Sequence, residues 1–364
     1  MSIFGNKKIK VFGLDISDTA IKVMEISKIG DKLVPSAFAN VPLSDKVINN
    51  HMIISEERLA EYIRRAIDKA GKVNTRFVVC SVPEAKSFVR VVTLPKMPED
   101  EIETAIPYEL EQDIPIPIDQ VYLDWHILKQ TEEKMEILVT AAPKEYIDAL
   151  IQTLELAKLT PLAMELESQA TARALIGSED MKKTLLIVDL ATQQTSFIIV
   201  DKGGIEYTSS VPIAGNAFTE SIARNLGINK PDAENVKRAM GLTSESKQGS
   251  VRDAILPILD SIIDEIKNVI KFFENHDIDK RTIGDIILCG GTAQLLGVAD
   301  YVSTRINLGS TKSNIRVILG DPWAKVNGYN HPKAVQIKKD EVLGYTTVIG
   351  LALRDIDYHP RYRL

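Results

Sequence analysis

The sequence predicts a two-lobed α/β fold in which one architecture is used twice and the first lobe is interrupted by an inserted α+β subdomain. Three observations carry this. The stretch VFGLDISDTAIKVMEI, Val11 to Ile26, and the stretch LLIVDLATQQTSFIIV, Leu185 to Val200, both run apolar strand, aspartate, polar turn, apolar strand. Their aspartates, Asp15 and Asp189, are too far apart for a solenoid repeat and suit two duplicated lobes. Between them, residues 84–160 carry strands and helices that neither repeat explains.

The elements follow in order. From Lys8 to Pro42 three apolar or alternating pieces, parted by SDT and IGDK, predict a meander. Ser55 caps a helix over SEERLAEYIRRAIDKAG that stops at Gly71. RFVVCSV is a buried strand. The insertion then offers the strand SFVRVVTLP, the acidic helix MPEDEIETAIPYELEQDI, strands QVYLDWHIL and KMEILVTAAP, and a helix from Lys144. TPLAMELES returns as a strand feeding the helix SQATARALIG. After Leu185 the opening pattern repeats, with GIEYTSSVPI as its third strand; helices dominate from Gly215 to Asn275, and GDIILCGG is a final buried strand. The expected organisation is 1–83 first lobe, 84–160 insertion, 161–182 return to the first lobe, 183–214 sheet of the second lobe, 215–283 its helical part, and 284–364 the remainder with a C-terminal return helix.

Composition narrows the function classes. The 364 residues, 45% hydrophobic and 26% charged, are enough to bury the cores of two lobes. A net charge of -6, a pI near 5.6 and scattered Lys and Arg argue against a nucleic-acid binder. Cys80 and Cys289 each sit in an apolar run without metal-ligand spacing, which favours a reducing compartment and inert buried thiols. There is no apolar run of roughly 18 residues, so no bilayer span is expected. The opening MSIFGNKKIK lacks a signal-peptide core; it reads as a frayed lead-in to the first strand, the alternative being a weak membrane-surface contact through Ile3, Phe4, Lys7, Lys8 and Lys10. A cytoplasmic protein is expected.

The chemistry lies in the turns. Backbone N–H groups in a tight hairpin can cradle phosphate oxygens. An aspartate at the strand end can hold Mg²⁺ through water. Lys22, seven residues after Asp15, can neutralise phosphate charge. The alternative is an ordinary polar turn with a solvated lysine. Asp189, Leu190, Ala191 and Thr192 repeat the device in the second lobe. A third element, IILCGGTAQLLGVADYV, runs a buried strand into Gly290, Gly291 and Thr292, where glycine permits close approach to a flat ring.

In this order the three elements resemble the actin/Hsp70/sugar-kinase superfamily, which implies a ribonuclease H-like, actin-like two-lobed fold. Within it, the insertion resembles the PilM family of type IV pilus assembly. The resemblance rests on Val82-Pro83, Leu94-Pro95, Ile114-Pro115-Ile116-Pro117 and Asp124-Trp125, with MELESQATARAL, EIKNVIKFFE, GDPW and GLALR further along. It implies ATP with Mg²⁺ between the lobes. Asp15, Ser17, Asp18, Thr19, Lys22, Glu167, Asp189, Ala191, Thr192, Gly215, Glu265, Gly290, Gly291 and Thr292 would hold the nucleotide, and Asp15 and Asp189 the metal. It also implies a scaffold at the cytoplasmic face of the inner membrane that docks the N-terminal tail of a PilN-like membrane protein, and it admits self-association.

The insertion supplies means for that docking. Strands around Val89–Leu94 and Tyr122–Leu128 can present an edge, Pro115 and Pro117 stiffen the rim, and Ile114 and Ile116 either line a pocket or pack on the subdomain's own sheet. Glu99, Asp100, Glu101 and Glu103 favour a tail carrying Lys or Arg. The phosphate loops depart from the family pattern: Ser17 and Ala191 stand where glycine is usual, and Asp18 replaces a hydroxyl residue beside the γ-phosphate. Turnover is therefore expected to be slow or absent, with no catalytic residue assigned. The competing readings are an FtsA-like cell-division filament protein, disfavoured by the ending DIDYHPRYRL with no apolar helix face, and an actin-fold ATPase or phosphotransferase, for which no sugar-binding cluster is found.

Overall fold

In the computed structural model the described residues are 9–43, 46–110, 114, 116–177, 180–243, 250–277, 280–308 and 314–354. Ile3, Phe4, Lys7, Lys8, Pro115 and the ending 355–364 lie outside them. The first apolar runs form β1 (Phe12–Ile16), β2 (Ala20–Ile29) and β3 (Lys32–Pro42), an antiparallel meander. Every residue of β1 is buried. A short hairpin of β4 (Ile48–Asn49) and β5 (Met52–Ile53) follows, turning through Asn50 and His51 at positive φ. In α1 (Glu56–Ala70) the Ser55 side chain accepts the Arg58 N–H, acidic residues fill the first turn, and Gly71 closes the helix at φ 88. This helix is the crossover that lets β6 (Phe77–Val82) lie parallel to β1.

Next come β7 (Phe88–Pro95), α2 (Glu99–Leu110), β8 (Val121–Gln130) and β9 (Lys134–Pro143). They make a separate three-stranded sheet of order β7-β9-β8, with β7 and β8 as its edges. Its core sets Ile102, Ile106 and Leu110 of α2 against Val92, Leu94, Ile137 and Val139. Ile114 is buried in this core and Ile116 packs against it. Of the two roles expected for these isoleucines, pocket lining is therefore not the one observed: two apolar side chains beside the subdomain's own sheet gain most by closing that sheet.

The chain then leaves this sheet. α3 (Lys144–Leu156) packs against α1, and β10 (Thr160–Leu166) returns parallel to β6, ahead of α4 (Glu167–Leu175). The main sheet has the order β10-β6-β1-β2-β3.

The second sheet repeats this plan. β11 (Thr184–Leu190), β12 (Thr195–Asp201) and β13 (Gly204–Val211) form the meander; α5 (Gly215–Leu226), α6 (Lys230–Met240) and α7 (Ser250–His276) lead to β14 (Asp285–Cys289), parallel to β11. After α8 (Val298–Asn307), β15 (Arg316–Leu319) adds a parallel edge, giving β13-β12-β11-β14-β15, and α9 (Thr346–Ala352) ends the described chain. Read from the other edge, this is the strand order of the first sheet. The duplication is thus structural as well as sequential.

The described residues divide into two compact units. One takes those up to 174, 325–336 and 347–354; the other takes 175–324 and 337–346. Residues 325–336 and 347–354 thus belong to the same unit as the opening strands. In the first unit Gly328 and Val335 donate to main-chain carbonyls of β3, and α9 lies so close to β1 that Gly13 has no room for a Cβ beside Val348 and Ala352. The second unit packs α5 and α7 on its sheet through Phe218, Ile222, Ile255, Leu259 and Ile262. No helix of the described chain is long and apolar enough to cross a membrane.

Candidate functional site

In the first unit the β1–β2 turn collects five of the residues read from the sequence. Asp15, 4% exposed, is opposite Lys22 in the strand register and accepts from its Nζ at 3.1 Å. Its other oxygen accepts from the Ser81 hydroxyl at 3.1 Å, and the same hydroxyl accepts the Ile16 N–H. Ser81 lies on β6, so the parallel neighbour of β1 clamps the aspartate; sequence reading missed this long-range partner. Ser17 closes the turn, its N–H and hydroxyl both donating to the Ala20 carbonyl and its Oγ accepting the Ala20 N–H. Thr19 lies within 3.4 Å of the Ser17 hydroxyl.

Asp18 has a different setting from the one expected. Its carboxylate is nearly buried and accepts the main-chain N–H of His51 at 3.1 and 3.3 Å, with the His51 Nδ1 3.5 Å away. This carboxylate is thus already engaged by a main-chain donor. Burial lowers the His51 pKa, the Asp18 charge opposes that shift, and Lys86 adds to it. Glu167 begins α4 and accepts the Glu84 N–H at 3.4 Å.

In the second unit Asp189, Ala191, Thr192, Gly215, Gly290 and Thr292 converge. The Gly215 N–H at the start of α5 donates to Ala191 O, and the Asn216 N–H to Thr192 O, tying the β11–β12 turn to the helix. The Thr292 hydroxyl donates to the same Ala191 carbonyl at 3.0 Å. Gly290 has φ 83, and a Cβ there would collide with the Asp189 carboxylate and the Leu190 main chain. A Cβ on Gly215 would meet the Thr292 hydroxyl at 2.5 Å. Gly291 is exposed with open space around it, facing the approach of Gly344. Glu265 lies on α7, where it accepts from Asn268, and among the described residues no hydrogen bond or ion pair joins it to this cluster.

Lys237 was not foreseen. It is 5% exposed, donates to Gly215 O and Thr219, and pairs with Glu234 at 2.6 Å. Burial opposes ionisation of Glu234, but the bonds from Lys237, Thr219 and Arg238 outweigh it and hold the carboxyl down to about 2. On Lys237 burial prevails, and its pKa is lowered despite the glutamate. The signal was present in the sequence as an i, i+3 Glu–Lys pair on a helix, indistinguishable there from a solvated pair.

The buried thiols are chemically quiet. Burial, then the charge of Asp15, pushes Cys80 up, and burial, then Asp189, does the same for Cys289. The Asp15 carboxylate fits a hydrated Mg²⁺ held at second hand better than a directly ligated one. Both Asp15 oxygens already accept from Lys22 and Ser81, and among the described residues no three His, Cys, Asp or Glu side chains converge as a cage.

A family model described as type IV pilus assembly protein PilM matches residues 13–356. The structure is similar to that of a PilM-PilN type IV pilus biogenesis complex, with a TM-score of 0.79, 25% identity, and coverage of 95% of this chain and 98% of that one. It shares its fold with MreB5 of Spiroplasma citri bound to AMPPNP, at a TM-score of 0.54 and 13% identity over 93% of this chain and 94% of that one. The cell division protein FtsA of Borreliella burgdorferi is 26% identical over 165 residues, and the match spans 39% of each chain.

Proposed function

The chain belongs to the type IV pilus assembly protein PilM family, and from that premise we propose that it is a scaffold whose three-stranded subdomain docks the N-terminal cytoplasmic tail of a PilN-like inner-membrane protein. The observation that carries the reading is the subdomain itself: a small sheet with its own core and with β7 and β8 as its edge strands, in a chain similar along nearly its whole length to one solved with PilN. An extended tail can add to such an edge through its main chain and place alternate side chains on the sheet. Val91 on β7 and Tyr122 on β8 are exposed, and the acidic start of α2 suits a tail with Lys or Arg. The protein would then sit at the cytoplasmic face of the inner membrane, held there by its partner. Ordering a free tail costs entropy, so one peptide should bind modestly and several gathered copies more tightly. The test is a pull-down from solubilised membranes with the full chain. The expected catch is an inner-membrane protein with a short N-terminal cytoplasmic tail; a catch of division proteins instead would favour the FtsA-like alternative.

The second part of the reading is nucleotide binding, ATP with Mg²⁺. Its support is the pair of aspartate hairpins, each built around a locked turn, on the fold of an MreB solved with AMPPNP. Asp15 and Asp189 would hold the hydrated metal, which would screen phosphate charge. Lys22 and the turn around Ser17 and Thr19 would contact phosphate, and Gly290–Thr292 with Lys237 would approach the base. Because Asp18 is occupied by His51, the reading assigns binding rather than turnover to this turn. Calorimetry with MgAMPPNP tests it: wild type should bind, and Gly291→Trp should not.

A further inference from the structure

Along the chain the lysines and arginines are scattered, but the first sheet gathers some of them at one end. Its order is β10-β6-β1-β2-β3, with β10, β6 and β1 parallel and β2 antiparallel to both β1 and β3. Lys158 precedes β10, Arg76 precedes β6, Lys10 precedes β1, Lys28 lies near the end of β2, and Lys32 opens β3. Every strand of this sheet therefore brings a cation to the same end, in a row roughly 20 Å long at the usual strand spacing. Each of these residues is exposed.

Local bonds fix the row. The Thr75 hydroxyl donates to Lys10 O at 2.9 Å and the Thr160 N–H to Arg76 O at 3.0 Å, so the starts of β1, β6 and β10 are tied together. The Arg76 guanidinium lies 5.6 Å from the centroid of the Phe77 ring. α1 adds the exposed Arg64, whose Nη1 donates to Leu156 O at 2.8 Å, and Leu156 itself is 40% exposed.

Charge sets this end apart. Among the described residues none of Lys10, Lys28, Lys32, Arg64, Arg76 and Lys158 pairs with a carboxylate, whereas Arg173, Lys183, Arg281 and Arg316 each do. The exposed Asp31, Asp68 and Glu155 lie on the same connecting segments and leave an excess of positive charge. In a chain of net charge -6, such a concentration of unpaired cations turns this end toward an anionic surface.

We propose that this end of the first sheet contacts the anionic headgroups of a lipid bilayer, with Leu156 as its apolar point. A row of cations matches a plane of phosphates, and each Lys or Arg near such a surface adds to binding. An exposed leucine among them gains from a bilayer, whereas nucleic acid offers it no apolar layer. The inference goes beyond the docking reading. The three-stranded subdomain leaves the sheet after β6, at the opposite end, so lipid and tail are met at different places.

Flotation of the full chain with vesicles, without partner or nucleotide, tests it. Wild type should float with phosphatidylcholine vesicles containing about one third phosphatidylglycerol and stay down with phosphatidylcholine alone. Raising salt from about 50 to about 300 mM should weaken the binding at least about fivefold. Lys10→Glu with Arg76→Glu should weaken it at least about tenfold. If that pair does not fold, Lys28→Glu with Lys32→Glu, on the β2–β3 hairpin, carries the same expectation. Lys267→Glu with Lys271→Glu, exposed on α7, should bind as wild type does. No flotation with the anionic vesicles, equal flotation with both kinds, or an equal loss in the α7 pair overturns the proposal. So does binding to duplex DNA with none to vesicles, which would make this end a nucleic-acid surface. Because the assay contains no membrane protein, its outcome stands apart from that of the pull-down.

Discussion

Gly290 and Gly291 are neighbours with opposite demands. Gly290 sits at φ 83 against the Asp189 carboxylate, so Gly290→Ala meets both a strained backbone and a collision. It should cost about 1–3 kcal/mol or more in urea unfolding. Gly291 has nothing within reach of an added Cβ, and Gly291→Ala should stay within about 0.5 kcal/mol of wild type. That contrast makes Gly291 the clean position at which to probe nucleotide binding. Glu234 gives a residue-scale test in pH. Its folded pKa of about 2 lies below the ordinary 4.5, so the carboxylate stabilises the fold fully above pH 4.5. That contribution is lost as pH falls from there toward 2. Wild type should lose more stability than Glu234→Gln across this window, and equal slopes would show that the pair with Lys237 is not the cause. Residue identity alone could not reveal these settings. Asp15 and Asp189 were legible because apolar runs flank a polar turn, whereas Ser81, His51 and Lys237 reach their partners across 66, 33 and 22 positions of chain.

Among the elements, the strands of both meanders, α1 with its Ser55 cap and Gly71 stop, and the buried β14 were all readable from period and punctuation. β15 was not: Arg316–Leu319 is only four residues long, and what makes it a strand is the parallel edge that β14 offers. The insertion was readable as strands and a helix, but not which of its apolar residues face inward. Ile114 shows why. A proline-flanked isoleucine suggests an exposed rim by local chemistry, yet it is 7% exposed in the core under α2. Ile114→Ala should therefore cost about 2–4 kcal/mol. Limited proteolysis should then cut first within the three-stranded subdomain, and a variant that weakens tail binding while leaving the subdomain intact would contradict this placement.

At the scale of the whole molecule, two units repeat one sheet order, and only the first carries the added subdomain. On the docking and nucleotide readings proposed above, this asymmetry would divide the work: the aspartate hairpins for phosphate, and the extra sheet for a partner. The central claim is that the membrane protein's tail docks on that sheet. It is tested most directly by photo-crosslinking in cells, with p-benzoylphenylalanine placed singly at Val91 on β7, at His126 on β8 and at Phe272 on α7, all three exposed. The account predicts an adduct with the inner-membrane partner from Val91 or His126 and none from Phe272. An adduct from Phe272 with none from either edge of the subdomain would contradict it.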